Sequence, residues 1–154
     1  MAVREIVLKG HVALSTKSDV VTEIDNDIKE LIKDLKDTLY STTGIGLAAP
    51  QIGVNKRVIY IDLKAAEIEP ILLINPVITM KKGMQDSEEG CLSYPGYCGK
   101  VERPKRLEVE GLDENGNIKS YYAEELLCRA FCHEIDHLDG IMYTDKAYEL
   151  FERN

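Results

Sequence analysis

Two histidines and a glutamate in this chain have the spacing of a metal-dependent hydrolase. Residues 132–140 read CHEIDHLDG and are predicted to be helical, so His133 and His137 lie one above the other on one helix face. Two imidazoles placed in this way can bind one metal ion, and Glu134 can take a proton from water on that ion. The spacing therefore predicts hydrolysis, and the alternative is a solvated or capping pair of histidines.

A catalytic metal site usually has three protein ligands and one position for water, so a third ligand is needed. The one remaining histidine, His11, lies far upstream, which leaves acidic residues and cysteines as the better candidates. Cys91 is flanked by glycines and a proline, a composition that favours an exposed, sharply turning segment. Its thiolate would complete a site of two histidines and one cysteine, although a lone cysteine is more often a small buried apolar residue.

Residues 43–53, with the sequence TGIGLAAPQIG, suit close contact with the backbone of a ligand. Their glycines leave N–H and C=O groups accessible, so an extended peptide could pair with them. The glycines are not followed by Lys-Ser/Thr or by an acidic residue at the expected distance, which argues against nucleotide binding. Gln51 carries the segment's one polar amide side chain.

Three motifs, in this order, resemble those of the peptide deformylase family. They are GIGLAAPQ at residues 44–51, EGCLS at 89–93 and HEIDH at 133–137, and the likeness extends over roughly residues 4–145. This family removes the formyl group from the initiator methionine of new bacterial polypeptides. The resemblance therefore implies an amidase that acts on N-formylmethionyl peptides of nascent chains and releases formate.

The resemblance also implies how the reaction is carried out. One divalent metal ion would be bound by three ligands: Cys91, His133 and His137. Ferrous iron is the ion that the resemblance favours, although zinc suits these ligand types and nickel or cobalt could replace it. Glu134 would carry the proton, while the Gln51 amide and the backbone N–H of Leu92 would stabilise the oxyanion.

Substrate contacts and supporting residues are implied as well. The peptide backbone would pair with the chain between Gly44 and Gly46, and the methionine side chain would lie against three apolar residues: Ile45, Leu126 and Ala130. A tight wall beside the metal would admit formyl and reject acetyl. One of two carboxylates, Glu89 or Asp136, would pair with Arg103 and hold the Cys91 segment against the helix, the alternative being that both are solvated.

The elements that must position these residues follow from hydrophobic periodicity. Apolar residues recur at helical spacing from Ile24 to Leu39, with Thr22 as the N-cap and Gly44 beyond the end. A second helix is expected over about residues 124–138, ending near Gly140. The other expected elements are a surface segment at 6–14, strands at 57–62 and 71–78, a hairpin of 107–111 with 118–122, a short strand at 141–143 and a polar C-terminal helix from 146.

Length and composition favour a single catalytic domain over residues 1–154. The resemblance implies an α+β fold in which small antiparallel sheets surround the helix that carries the histidines. The net charge of −8 argues against nucleic acid or an anionic membrane as a direct partner. No apolar run approaches the ~18 residues of a membrane span, and residues 1–5 lack a secretion signal. We expect a cytoplasmic enzyme, for which transient ribosome association would fit a nascent-chain substrate.

Two competing functions remain open from the residues alone. An endopeptidase could use the same His-Glu-x-x-His, but it would need a third ligand downstream, where Glu149 and Glu152 are the candidates. A non-catalytic metal-binding or thiol-sensing protein could use the cysteines at 91, 128 and 132, which would leave Glu134 without a role. The four cysteines form no Cys-x-x-Cys pair, and Cys128 and Cys132 are more simply read as small core residues. The remaining cysteine, Cys98, has no predicted role.

Overall fold

Two antiparallel sheets and three helices make up the chain, which a computed structural model describes over residues 2–153. The helices are α1 (Asn26–Tyr40), α2 (Glu125–Leu138) and α3 (Tyr143–Lys146). The strands are β1 (Gly46–Ala48), β2 (Val58–Ile61), β3 (Ile71–Lys82), β4 (Gln85–Cys91), β5 (Tyr94–Arg103), β6 (Arg106–Leu112), β7 (Ile118–Glu124) and β8 (Glu149–Glu152). Short 3₁₀ turns occur at Val12–Ser15, Ala49–Ile52 and Lys64–Ala66. The α+β class predicted above is confirmed.

The larger sheet has the strand order β1-β2-β3-β6-β7, and the smaller one has the order β4-β5-β8. Every pair within these sheets is antiparallel. Strands β1 and β4 each lie at the edge of their sheet, so each has one side that no strand of its sheet occupies. These two edges carry the glycine segment and Cys91.

Helices α1 and α2 pack on opposite faces of the larger sheet. Along β2, Ile59 and Ile61 belong to the apolar cluster around α2, whereas Val58 and Tyr60 belong to the cluster around α1. Alternate residues of a strand point to opposite faces, so both faces of this strand are buried. Fully burying one such side chain contributes about 1.5–3 kcal/mol, which explains why α2, the helix with the histidines, is fixed firmly on its sheet.

Most element predictions are confirmed, with shifted ends. Helix α2 matches the expected 124–138 closely, and the hairpin of β6 and β7 turns where expected. Helix α1 begins later than predicted, because the side chain of Asp25 accepts from the backbone N–H of Ile28 at 3.0 Å and is therefore the N-cap. The prediction of Thr22 as the N-cap was wrong. Strand β3 continues four residues beyond the predicted 71–78.

The predicted C-terminal elements were wrong. A short helix, α3, begins at Tyr143, where a strand was expected, and Glu149–Glu152 is a strand rather than part of a helix from 146. Strand β8 pairs with β5, with Leu150 opposite Gly99. The polar composition of this segment is compatible with an exposed helix, but the free edge of β5 offers backbone hydrogen bonds that composition does not reveal.

Residues 6–14 are mostly irregular, as expected, although Ala13 and Leu14 are buried. Strands β1, β4 and β5 were not predicted. Among the described residues, no helix is both long and apolar enough to cross a membrane.

Candidate active site

Cys91 converges with His133 and His137 although it lies more than 40 positions before them in the sequence. Their potential ligand atoms are all within 4.8 Å of one another, and Cys91 Sγ is 3.4 Å from His137 Nε2. Cys91 ends strand β4, whereas the histidines lie one turn apart on α2, so the group forms where the small sheet meets that helix. A thiolate with two imidazoles fits a divalent transition metal such as zinc or iron. The donor set therefore fits the metal that the resemblance implies.

The two imidazoles differ in their surroundings. His133 Nδ1 lies 2.9 Å from Glu89 Oε1, and since a carboxylate accepts, Nδ1 is the protonated nitrogen and Nε2 remains available as a ligand. Burial opposes a charge on His133, but the hydrogen bonds to Cys91 and Glu89 prevail and hold its pKa well above the usual value, so binding of a metal ion at Nε2 would release a proton. Burial, together with the neighbouring His133, holds the pKa of His137 well below its usual value. His137 is thus neutral, the form that binds metals.

Glu134 lies beside this group and is almost completely buried. No described residue hydrogen-bonds its Oε1, so the carboxyl has one buried oxygen without a partner. Burial raises its pKa to about 7. A carboxyl with such a pKa can both accept and release a proton near neutral pH, as an acid–base group must.

A pair of buried carboxylate–arginine contacts supports the metal-ligand group. Arg103 donates from Nε and Nη2 to both oxygens of Glu89 at 2.8 Å and from Nη1 to Asp136 Oδ2 at 2.6 Å. Both Glu89 and Asp136 therefore pair with Arg103, whereas the sequence had predicted a pair with one of them. Glu89 also contacts His133, and its neighbours lower its pKa to about 2 against the opposing effect of burial. The cluster links β4, β5 and α2.

We expect Arg103→Ala to destabilise the protein and to loosen metal binding. Arg103 is 2% exposed, so removing it leaves Glu89 buried without its main counter-charge. Breaking a buried pair in this way typically costs about 3–5 kcal/mol, and losing a partner of a metal ligand lowers metal affinity by about 10–100-fold. Chemical unfolding and metal competition titration measure the two effects. Arg106→Ala, at the exposed start of β6, is the control. Unchanged metal affinity in Arg103→Ala would contradict the supporting role.

The Gln51 side chain is fixed next to Cys91. Its Oε1 accepts from the backbone N–H of Ala48 at 3.0 Å, which directs Nε2 toward Ser93 Oγ at 3.2 Å and Cys91 Sγ at 3.5 Å. The preceding chain braces this arrangement, because Val7 N–H donates to the Gln51 carbonyl and Lys9 N–H donates to the Ser93 carbonyl, both at 2.8 Å. Residues 7–9 therefore form an N-terminal brace across the two site segments.

An open cleft of about 540 Å³ leads to the ligand group. Its walls contain all five residues that the resemblance assigns to substrate binding: Gly44, Ile45, Gly46, Leu126 and Ala130. Leu92 lines it too, next to Cys91. Ile45 and Leu126 are 41% and 42% exposed, so their apolar surfaces are accessible to a ligand in the cleft. The cleft thus offers an apolar surface close to the proposed metal.

Position 46 has room only for a glycine, because the Glu134 side chain lies against it. A Cβ at this position would lie 2.6 Å from Glu134 Oε2, and the carboxyl has little room to move because it is buried. We expect Gly46→Ala to displace that carboxyl and to lower kcat by about 10–100-fold while metal content is kept. Steady-state kinetics with metal analysis measure this, and the control at another cleft glycine is Gly90→Ala, where a Cβ would make only ordinary contacts from 3.4 Å. A Gly46→Ala variant with wild-type kcat would contradict the prediction that this glycine leaves room for the Glu134 carboxyl.

Sequence reasoning missed several groups in this cleft or beside it. Ser93 is fully buried against Gln51, and its place in the EGCLS motif was the available signal. Arg129 lies on α2 four residues before His133, a spacing that puts both on one face. Arg153 reaches the cleft from beyond β8 and left no local signal.

The residues required by the competing functions lie elsewhere. Cys128 and Cys132 are buried and are not in the ligand group with Cys91. Cys128 Sγ donates to the Pro104 carbonyl at 3.1 Å, and burial raises the pKa of Cys132 to about 12, so both are core thiols. Glu149 and Glu152 are exposed on β8 and are not part of the ligand group.

Comparison with known proteins gives a consistent result. A family model described as polypeptide deformylase matches residues 3–152. Peptide deformylase 2 of Clostridium perfringens (strain 13 / Type A) is 52% identical over 153 residues, covering 99% of this chain and 97% of the relative. The crystal structure of a Thermotoga maritima peptide deformylase has a TM-score of 0.90 at 32% identity, covering 96% of this chain and 99% of that one. The crystal structure of a Synechococcus elongatus peptide deformylase in complex with actinonin has a TM-score of 0.89 at 40% identity. The match covers 95% of this chain and 79% of that one. The chain belongs to the polypeptide deformylase family.

Proposed function

We propose that this chain hydrolyses the formyl group from N-formylmethionyl peptides of nascent chains, using one divalent metal ion bound by Cys91, His133 and His137. The observation that carries the proposal is the convergence of these three ligands beside Glu134, whose buried carboxyl has an unused oxygen. Membership of the polypeptide deformylase family supports the same reaction. We propose that residues 1–154 act as one catalytic domain.

The ion would supply Lewis acidity, which polarises the formyl carbonyl and lowers the pKa of water at the site. Ferrous iron is our proposal for the native ion, with zinc, nickel or cobalt as substitutes that the same ligands accept. Cys91 supplies the soft ligand, and Glu89 keeps His133 oriented through its Nδ1 at 2.9 Å.

Glu134 acts as the proton carrier in this proposal. Its carboxylate takes a proton from the attacking water and afterwards gives it to the departing amine, so that formate and a free methionyl N-terminus are released. The pKa of about 7 that burial gives it is suited to both directions of transfer. The position of Gly46 leaves the carboxyl its place beside the cleft.

Gln51 and Leu92 stabilise the charge that develops on the formyl oxygen. The Ala48 contact to Oε1 holds the Gln51 amide in place, and the Nε2 hydrogen that faces Cys91 Sγ at 3.5 Å is the one that would donate to the oxyanion. The backbone N–H of Leu92 is the second donor in this proposal. Losing one such donor typically costs about 2.7–4 kcal/mol of transition-state stabilisation.

Substrate binding uses the strand edges that the two sheets leave open toward the cleft. The peptide backbone pairs along the segment from Gly44 to Gly46, and the methionine side chain covers the exposed faces of Ile45 and Leu126 beside Ala130. Backbone hydrogen bonds do not depend on the side chains of the peptide, so many different nascent chains can be accepted. We place the enzyme in the cytosol, with transient ribosome contact and no direct nucleic-acid binding.

One assay tests the proposed function against its competitors. Protein prepared without oxygen is analysed for metal and then incubated with a formyl-Met peptide, the matching acetyl-Met peptide and an unmodified protein. We expect iron at close to one ion per chain and formate release from the first substrate alone. Cleavage within the unmodified protein would indicate an endopeptidase, and metal binding without release of any product would indicate a non-catalytic protein.

A further inference from the structure

Two arginines of the cleft, Arg129 and Arg153, have no role in the reaction proposed above. We propose that they bind acidic side chains at the second or third residue of the formylated peptide, so that the enzyme hydrolyses such substrates preferentially. This inference rests on the proposed deformylase function. It concerns which nascent chains are processed fastest rather than the chemistry at the formyl group.

Arg153 is carried into the cleft by the C-terminal strand. Strand β8 pairs with β5, and the Arg153 backbone N–H then donates to the Gly96 carbonyl at 2.9 Å, which fixes the residue beyond the strand end. Its Nη1 lies 3.6 Å from the position that a Cβ on Gly90 would occupy. Gly90 immediately precedes Cys91 on β4, so this guanidinium lies against the strand that carries the proposed metal ligand.

Arg129 lines the same cleft from helix α2. It is half-buried on α2, four residues before His133, and lines the cleft together with Leu126 and Ala130. An extended peptide that pairs with residues 44–46 and has its formyl group at Cys91 would run along the cleft that Arg129 and Arg153 line. Each residue of such a peptide advances it by about 3.3 Å, so its second and third side chains are within reach of long guanidinium side chains.

The charges of the two arginines are not used within the described part of the chain. Arg4, Arg57 and Arg103 each form an ion pair with an aspartate or glutamate, whereas neither Arg129 nor Arg153 forms one with any described residue. Glu88 is the exposed acidic side chain among the residues that line this cleft, beside Arg129 and Arg153. Both guanidinium groups are therefore available to attract an acidic side chain of a peptide bound in the cleft.

The experiment compares three formyl-Met peptides that differ at the second residue, which is glutamate, alanine or lysine, and a second set varied at the third residue. From the strength of exposed ion pairs we expect kcat/KM to favour the glutamate over the lysine peptide by about 3–10-fold in at least one set. The preference should shrink at high salt because screening weakens contacts between exposed charges. Arg153→Gln and Arg129→Gln should each reduce the ratio, and Arg153→Glu should reverse it toward lysine.

The ratio of two substrates in one protein is insensitive to partial unfolding, because both rates then fall together. Lys29→Gln, which removes one exposed positive charge on α1, controls for total charge and should keep the wild-type ratio. Equal kcat/KM for glutamate and lysine peptides in wild-type protein, or a ratio unchanged in both arginine variants, would overturn this inference alone. Failure to release formate from the alanine peptide would instead overturn the proposed function.

Discussion

Glu134→Gln is expected to lower kcat for deformylation by about 10²–10⁴-fold, the usual contribution of a positioned acid–base group. Glutamine has nearly the same shape as glutamate, so the contact with Gly46 and the packing of α2 should be preserved. It cannot accept a proton at neutral pH, and therefore neither water activation nor protonation of the departing amine can proceed through it. The metal ligands are untouched, and metal content should remain that of the wild type.

Measurement of formate release under single-turnover conditions, with metal analysis of the same sample, checks this expectation. Glu125→Gln is the matched control, because this exposed glutamate lies at the start of the same helix and outside the ligand group. The control should retain wild-type kcat. A Glu134→Gln variant with full metal content and undiminished kcat would refute the role of Glu134 as proton carrier, and a variant that loses the metal would show that Glu134 supports binding instead.

Cys91→Ala is expected to lower metal affinity by at least about 100-fold. Removal of a residue that merely supports a metal ligand costs about 10–100-fold, and loss of a ligand itself should cost no less. The alanine also removes the soft, anionic donor, which leaves two neutral imidazoles to hold a divalent ion. Formate release should fall together with the bound metal, since the Lewis acid is lost.

Competition titration with a coloured chelator measures the affinity, and metal stoichiometry after dialysis gives an independent reading. Cys98→Ala is the control, because Cys98 is a buried free thiol on β5 that is not in the ligand group. It should retain one ion per chain. Retention of the ion by Cys91→Ala at wild-type affinity would mean that another residue supplies the third ligand.

Local sequence patterns were sufficient for the helical half of the site. The spacing of His133, Glu134 and His137 defines one helix face by geometry alone, and apolar periodicity placed α2 within a residue of its observed start. Cys91 is different, since a single cysteine in a turning segment carries no spacing information. Its convergence with the histidines was expected through family resemblance, and the structure shows the three ligand atoms close together.

The small sheet could not be predicted from local patterns, for physical reasons. Strand β4 contains DSEEG, in which the buried residues Ser87 and Glu89 are polar, so the alternation of apolar and polar residues that marks a strand is missing. Glu89 is stable there because Arg103 pairs with it, and that partner lies on another strand. Strand β8 likewise depends on the edge of β5, and a periodicity argument cannot include such a distant partner.

The N-terminal brace has a consequence for the biogenesis of the protein itself. Val7 and Lys9 hold Gln51 and Ser93, and the last residue of the ligand group is His137, so the site joins segments that lie far apart in the sequence. Contacts between such distant residues are slow to form, because a long loop must close before they can contribute. During translation, the site would therefore become competent only after the segment up to His137 had left the ribosomal tunnel.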